Sequence, residues 1–210
     1  MKYKVMIVED QTMPRELFEL RIQASEHFEV ALSIDNAALA EVYCLRLPVD
    51  LILMDVVTRN GESGLDAAER IKRAFPQIKI IIVTSMPECS YLSRAREIGV
   101  ESFWYKEEQR ESLLDVMERT MAGEPVYPDA TPELQLGLAS SYEFTERELA
   151  VLREMTGGDT NQEIAERLHM SVATVKTHIL NMLEKTGFRN RTELAVRARE
   201  SGLVILNRKN

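Results

Sequence analysis

Short apolar runs alternate with amphipathic stretches along residues 1–122. The runs are almost wholly apolar, as strands covered on both faces of a sheet are; they are Lys4–Val8, Phe28–Ser33, Leu51–Met54, Lys79–Val83 and Ser102–Tyr105. A stretch with helical periodicity follows each run; these are Pro14–Ala24, Ala37–Leu45, Leu65–Phe75, Tyr91–Ile98 and Glu111–Met121. Five strand–helix units in this length predict an α/β domain with a doubly wound, parallel sheet of five strands.

From Thr145 onward the pattern becomes purely helical. Thr145 and Glu148 have the spacing of a capping box, which marks a helix start. Glycines and capping residues divide the rest into four short helices, which predict a small all-α domain; they are 145–155, Asn161–Leu168, Val172–Lys185 and Arg191–Ser201.

The segment between the two patterns, 123–141, holds three of the seven prolines and has no clear period. That composition is typical of a linker. The sequence therefore predicts a first domain at 1–122, a linker at 123–141 and a helical domain at 142–210.

Charge is divided unevenly between the two parts. The net charge of −8 would argue against a nucleic-acid partner, but residues 1–141 carry 15 basic and 24 acidic side chains, a net −9, whereas residues 142–210 carry 11 and 10, a net +1. The helical domain is thus free to present a local basic face.

The N-terminal residues and the two cysteines indicate in which cellular compartment to expect the protein. The first apolar run, Val5 to Val8, is too short for a signal peptide or a membrane span. Cys44 and Cys89 are two unpatterned thiols, which suggest a reducing compartment and neither a disulfide framework nor a zinc site. We therefore expect a cytoplasmic protein without a membrane partner.

Polar side chains follow four of the five predicted strands. Glu9 and Asp10 follow the first strand, Asp55 the third, Thr84 the fourth and Lys106 the fifth. In an open parallel sheet, function lies beyond the carboxyl ends of the strands, where the strand order reverses. Each residue alone is commonly a solvated strand end, but the set of five together predicts a site.

The chemistry of this set favours Mg²⁺ and a phosphoryl group. Three crowded carboxylates need a cation, and an all-oxygen donor set suits Mg²⁺, which keeps waters and phosphate oxygens as further ligands. Lys106 and the Thr84 hydroxyl supply a charge and a donor to a bound phosphoryl group. Asp55, at the tip of an apolar strand, is the natural nucleophile for an acyl phosphate.

The helices at 161–168 and 172–185 have the layout of a helix-turn-helix. Ala165 is the small residue in the first helix, and the second helix has an apolar inner face. Its outward residues that can contact base edges or phosphates are Thr174, Lys176, Thr177 and Asn181. A plain solvated helix face is the alternative, and His178 is better explained as a structural histidine.

Residues 1–122 closely resemble the receiver domain of bacterial two-component response regulators, through VED (8–10), LILMD (51–55), IIVTS (81–85) and FWYK (103–106). The resemblance implies a flavodoxin-like sheet of order 2-1-3-4-5, with Glu9 and Asp10 as the metal-binding pair and Asp55 as the phosphoacceptor. It implies Thr84 and Lys106 as the phosphoryl-sensing pair, Phe103 as the switch aromatic, and a sensor histidine kinase as donor.

Residues 143–203 resemble the LuxR-type helix-turn-helix of the NarL/FixJ class, through FTERELAVL (144–152), TNQEIAERLHMS (160–171) and ATVKTHILNMLEKTGFRNRTEL (173–194). This implies that 172–185 is the recognition helix for DNA and that the last helix, 191–201, helps to form a homodimer. Together the two resemblances imply a transcriptional regulator and not a turnover enzyme.

One stretch departs from the receiver pattern. The family usually carries Met-Pro and then Gly at the eighth position after the acceptor aspartate. Here the segment 56–64 has no proline, and Gly64 comes one residue late. The resemblance implies the backbone carbonyl of Val57 as a further metal ligand, and this residue lies within the altered segment.

Two other functions remain open at the level of sequence. A Mg²⁺-dependent phosphohydrolase would need a second acid or base near Asp55, and the flanking residues Val57 and Met86 offer none. A binding module that no longer accepts phosphate would explain the altered loop, but not the intact set of five. Whether phosphorylation relieves masking or drives dimerisation is open as well.

Overall fold

A computed structural model of the chain describes residues 2–85, 89–106, 112–129 and 131–204, with the backbone alone at 89 and 90. These residues form two compact units, and the boundary between the units falls between residues 130 and 131. This boundary lies inside the segment that the sequence analysis assigns to a linker, 123–141. The domain boundaries drawn from the sequence stay a prediction.

The first unit is built on five parallel strands: β1 Tyr3–Val8, β2 Phe28–Ile34, β3 Leu51–Asp55, β4 Lys79–Thr84 and β5 Ser102–Tyr105. Their order in the sheet is β2-β1-β3-β4-β5, and every neighbouring pair is parallel. The predicted fold class and strand order are confirmed. The chain reverses its winding between β1 and β3, which places a crevice at their carboxyl ends.

Both faces of this sheet are covered, which explains why the strands are apolar throughout. Because successive side chains point to opposite faces, Met6 and Val8 belong to one core cluster, whereas Val5 and Ile7 belong to the other. The covering helices are α1 Thr12–Gln23, α2 Ala40–Cys44, α3 Gly64–Ala74, α4 Cys89–Ile98 and α5 Leu113–Met121. All of the strand residues from Val5 to Val8 are fully buried.

Several helix starts differ from the sequence-based bounds. α1 begins at Thr12, which places Pro14 within its first turn, where a missing N–H does no harm. A 3₁₀ turn at Ala37–Leu39 precedes α2, and the Asn36 side chain accepts from the Ala38 amide. α5 begins at Leu113 because the Ser112 hydroxyl caps it; Glu111, where we expected the start, lies outside the described residues.

The two ends of the predicted linker pack onto different units. The Phe103 amide donates to the Val126 carbonyl at 2.8 Å, and the Val126 amide donates to Ser102 Oγ at 3.0 Å. Further along, Gln135–Leu136 pairs with Ala139–Ser140 in a short hairpin, and Leu136 and Ala139 are buried in the core of the second unit. Strands of two residues carry no detectable period, so the sequence pattern missed them.

The second unit is helical, as predicted. Its helices are α6 Glu146–Thr156, α7 Asn161–Arg167, α8 Val172–Thr186 and α9 Arg191–Glu200. The capping box of Thr145 and Glu148 starts α6, and a second one, of Thr160 and Glu163, starts α7. α8 ends at Gly187, whose φ of 74° is left-handed and suits glycine. None of the helices in the described part of the chain is long and apolar enough to cross a membrane.

Candidate functional sites

Three carboxylates meet at the carboxyl ends of the central strands. Glu9 and Asp10 follow β1, and Asp55 is the last residue of β3. One oxygen of each lies within 4.8 Å of the others. Glu9 and Asp55 are buried, with 1% and 5% of their surface exposed, whereas Asp10 is open to solvent. The neighbouring positions of β1 and β3 in the sheet thus bring together side chains that are 46 residues apart, Glu9 and Asp55.

Lys106 bridges two of these carboxylates. Its Nζ lies 2.5 Å from Glu9 Oε2 and 2.9 Å from Asp55 Oδ2. The Lys106 amide also donates to the carbonyl of Thr84 at 2.9 Å, which ties the ends of β4 and β5 together. Thr84 itself is fully buried. The structure therefore places the predicted lysine at the predicted acceptor.

One lysine does not balance two buried carboxylates. Burial raises the pKa of Asp55, the Lys106 ammonium lowers it, and the Glu9 carboxylate raises it, so that the pKa lies at about 7. Burial opposes the charge on Lys106, but Asp55 and Glu9 outweigh it and hold the lysine pKa above its usual value. The pocket thus carries uncompensated negative charge whenever Asp55 is ionised.

The backbone around Asp55 is fixed by its own neighbours. The Val56 amide donates to Asp55 Oδ1 at 2.7 Å, and the Gly64 amide donates to the Val56 carbonyl at 2.8 Å. A Cβ at Gly64 would lie 1.8 Å from the Asp55 carbonyl oxygen. Only glycine allows α3 to start so close to the end of β3, although this glycine comes one residue late in the sequence.

The donor set fits a small, hard cation. Glu9, Asp10 and Asp55 offer oxygen ligands only, and Mg²⁺ takes one or two protein carboxylates together with waters and phosphate oxygens. Val57, whose carbonyl is the further ligand implied by the resemblance, is half-buried in a two-residue strand directly after Val56. The assignment of these four ligands remains a prediction.

Phe103 lies inside the core and is 1% exposed. Its ring centroid is 5.0 Å from that of Tyr105 and 6.5 Å from that of Tyr127. The Tyr127 hydroxyl donates to the Val100 carbonyl at 2.6 Å, and Arg96 lies over the Tyr127 ring. The switch role predicted for Phe103 stays a prediction; the described position is a packed one.

Two residues beside the pocket escaped the sequence analysis. Arg15 Nη1 donates to the Glu9 carbonyl at 3.0 Å, and Thr58 is a buried hydroxyl in the loop after Asp55. A basic residue early in α1 carries no distinctive signal. Thr58 lies in the segment where the resemblance leads one to expect Met-Pro, but its burial depends on the fold. Met86, expected to flank the site, lies outside the described residues.

The second candidate surface is the outer face of α8. The inner face is apolar as predicted: Val175, Ile179 and Met182 are buried, and Val172 and Leu183 are partly buried. Ala165 of α7 is 5% exposed, so a small side chain allows α7 and α8 to pack closely.

The four predicted DNA-contacting residues, Thr174, Lys176, Thr177 and Asn181, are all exposed. The Thr174 hydroxyl lies 2.8 Å from Ser171 Oγ, and the Thr177 hydroxyl donates to the Ala173 carbonyl at 3.1 Å. His178 is half-buried at the edge of this face. Whether these side chains contact DNA remains a prediction.

Models of two protein families match the chain. Residues 5–118 match the response regulator receiver domain, and residues 143–198 match the bacterial regulatory proteins of the luxR family. The chain belongs to the two-component response regulators of the NarL/FixJ class, in which a receiver domain is joined to a LuxR-type DNA-binding domain. These proteins are DNA-binding transcription regulators.

Relatives and solved structures agree with this assignment. The response regulator protein VraR of Staphylococcus aureus (strain Mu3), and that of Staphylococcus epidermidis (strain RP62A), are 32% identical over 209 residues, which cover 97% of this chain and all of each relative. RcsB, solved as two dimers bound to two parallel DNAs, has a TM-score of 0.62 at 18% identity and covers 95% of this chain and 98% of its own. ChrA, from a heme-sensing two-component system, has a TM-score of 0.52 at 21% identity over 96% and 98%. The two structures support the fold.

Proposed function

We propose that this response regulator accepts a phosphoryl group on Asp55 with the help of Mg²⁺, and that this event controls DNA binding by α8. The observation that carries the proposal is the pocket of Glu9, Asp10 and Asp55 with Lys106 bonded to the buried acceptor. A carboxylate with a raised pKa, in contact with a cationic side chain in a crevice, is typical of a reactive site.

Each residue of the pocket has a distinct chemical task. Mg²⁺, held by Glu9, Asp10, Asp55 and the Val57 carbonyl, would neutralise the charge that otherwise repels an anionic donor. An oxygen of Asp55 attacks phosphorus, and the new P–O bond forms as the bond to the leaving group breaks.

The hydrogen-bond donors of the pocket act on the phosphoryl group. The Lys106 ammonium lies 2.9 Å from Asp55 Oδ2, which supports its proposed role as a donor to a phosphoryl oxygen on that atom. The Thr84 hydroxyl, at the end of the neighbouring strand, supplies a second donor. Because Lys106 also holds Glu9, modification of Asp55 redistributes its hydrogen bonds.

The partners follow from the class of protein. A receiver domain takes its phosphoryl group from a sensor histidine kinase, and a small phosphodonor can replace the kinase in a test. The RcsB structures include dimers on DNA. For this chain we propose a homodimer on two half-sites, with Lys176, Thr177 and Asn181 contacting base edges or phosphates.

Intact-mass spectrometry tests the phosphorylation. Wild type incubated with Mg²⁺ and acetyl phosphate should gain one phosphate, and the gain should vanish with a chelator or in Asp55→Asn. Asp115→Asn, which removes an exposed carboxylate at the start of α5, is the matched control and should behave like wild type. Phosphate retained by Asp55→Asn, or formed equally without a divalent cation, would overturn the proposal.

A further inference from the structure

The loop after Asp55 folds into a hairpin. Val57–Thr58 pairs antiparallel with Glu62–Ser63. Asn60 and Gly61, at its turn, have φ values of 63° and 74°, the left-handed conformation that an Asn-Gly pair adopts readily. This hairpin accommodates the extra residue before Gly64 and stands where the receiver pattern has Met-Pro. A different device must therefore hold the loop in place.

Thr58 is the centre of that device. It is 1% exposed, and its Oγ1 accepts a hydrogen bond from the Ala37 amide at 2.9 Å while donating to the Glu62 carbonyl at 3.1 Å. The hydroxyl thus fastens the first hairpin strand both to its partner strand and to the connection between β2 and α2. Both of its hydrogen-bonding roles are fulfilled inside the protein.

A second tether lies one residue further along. The Arg59 amide donates to the Asp35 carbonyl at 3.0 Å, and the Arg59 guanidinium pairs with the Asp35 carboxylate at 2.5 Å. The ion pair is largely exposed and contributes little by itself. On the other side of Val57, the Val56 carbonyl is held by the Gly64 amide. Val57 therefore lies between two anchored residues.

We propose that Thr58 is a positioning residue for the cation site, because its hydroxyl holds the backbone of Val57 where the carbonyl can act as a ligand. The inference rests on the proposed function. Mg²⁺ demands near-octahedral geometry, so a ligand carbonyl in a loose loop binds it poorly. Proline stiffens such a loop by fixing φ; here one buried hydroxyl, which accepts one hydrogen bond and donates another, replaces that covalent restraint.

The same contacts link the cation site to the β2–α2 connection. The Thr58 hydroxyl is bonded to the Ala37 amide, and the Arg59 backbone is bonded to Asp35. Ordering the carbonyl of Val57 around a cation therefore also orders the segment at 35–37. Binding at the carboxylate pocket should be detectable at these amides, which themselves contribute no ligand.

Calorimetric titration of the full-length variants with Mg²⁺ tests the inference. Thr58→Val keeps the shape but removes both hydrogen bonds, and should weaken Mg²⁺ binding by roughly tenfold or more, the range seen when outer partners of metal ligands are removed. Thr58→Ser restores the hydroxyl and should restore the affinity. Arg59→Ala, the matched control, loses only the exposed ion pair and should bind like wild type. Equal affinity of Thr58→Val and wild type would overturn the inference.

Amide exchange in wild type provides a second test, which applies even if Thr58→Val does not fold. Mg²⁺ should slow hydrogen exchange of the Ala37 and Arg59 amides, followed by NMR; unchanged exchange at both under saturating Mg²⁺ would contradict the role of Thr58. The proposed function is tested separately by mass spectrometry of wild type and Asp55→Asn, both of which retain Thr58.

Discussion

Each unit of this protein buries a carboxylate against a lysine, and the two pairs have opposite character. In the second unit, Glu148 accepts from Lys185 Nζ at 2.7 Å and from the Thr145 amide at 2.8 Å. Burial raises the pKa of Glu148, but the donors of Lys185 and Thr145 outweigh it and leave the pKa below its usual value. This carboxylate is better stabilised in its charged form than in water.

Asp55 in the receiver shows the reverse. It must share Lys106 with Glu9, so burial and the second carboxylate prevail, and the pKa rises to about 7. Glu148 belongs to a capping box that starts α6, whereas Asp55 lies in a crevice with Asp10 exposed beside it. The difference teaches that a buried ion pair is structural where the donors suffice, and is a candidate reactive site where they fall short.

The largest effect should follow from removing Lys106, the side chain that Glu9 and Asp55 share. Lys106→Met leaves Glu9 and Asp55 without their common partner and should lower the free energy of unfolding by on the order of 3 kcal/mol. Urea unfolding at pH 7.5 without Mg²⁺, followed by fluorescence of the single tryptophan, Trp104, measures the first unit. Arg73→Met, which removes an exposed ion pair of the same unit, is the control and should change almost nothing. If Lys106→Met lowers the free energy of unfolding no more than the control does, the contacts of Lys106 contribute little to stability.

Neutralising the structural carboxylate should destabilise the second unit. Glu148→Gln weakens bonds to Lys185 and Thr145 and should cost about 1.5–3 kcal/mol, the usual worth of hydrogen bonds to a charged group. Because the pKa of Glu148 is lowered, this stability is present above its ordinary value near 4.5 and is lost as the pH falls below it. Circular dichroism in urea should show an earlier loss of helix while the Trp104 transition stays in place. An unshifted helix transition at pH 7 would refute the assignment.

The exposed face of α8 should matter for DNA and not for stability. Lys176→Ala should cost about 1–3 kcal/mol of binding free energy at one base position if the lysine contacts a base edge. If it contacts phosphate alone, the loss should be uniform over sequences, and the salt slope should fall by about one unit. Titrations of specific and scrambled duplexes at several salt concentrations distinguish the two. Arg147→Ala, which removes the same charge from α6, is the control; a loss no larger than in that control would mean that α8 does not face DNA.

The last prediction concerns Asp55 itself, where the sign of the change in stability is the informative result. Since the pKa of Asp55 is raised, the folded state binds its proton more tightly than the unfolded state. Stability therefore falls as the pH rises from about 4 to about 7 in the absence of a cation. Asp55→Asn should remove this slope and raise the free energy of unfolding at pH 7.5. Trp104 unfolding curves across this range, with Asp115→Asn as control, measure it; a loss of stability in Asp55→Asn would show that Lys106 compensates Asp55 fully.

The sequence predicted the receiver sheet because strands covered on both faces give continuous apolar runs that local pattern detects. It also predicted which side chains follow the strand ends, since parallel strands bring their carboxyl ends to one edge. It could not predict that Lys106 would be shared between Glu9 and Asp55. That sharing depends on burial and on distances across the sheet, and it determines the pKa of the acceptor.

Loops were predicted least well, for a physical reason. The hairpin that holds Thr58 and the one at 135–140 have strands of two residues, too short for any period to be visible. Helix ends in the second unit were predicted closely because capping boxes such as that of Thr145 and Glu148 are written in local sequence. Sequence pattern therefore located the helices and strands, whereas the support of the cation loop required the structure.

DNA affinity under control of Asp55 is the most direct test of the account. A duplex selected from a random pool by the phosphorylated full-length protein would be titrated with wild type and Asp55→Asn, each with and without acetyl phosphate and Mg²⁺. We expect phosphorylation to tighten binding of wild type by about fivefold or more, the usual range of coupling between two sites, and to leave Asp55→Asn unchanged. Equal affinity of phosphorylated and unphosphorylated wild type, with one phosphate verified by mass, would contradict control of α8 by Asp55.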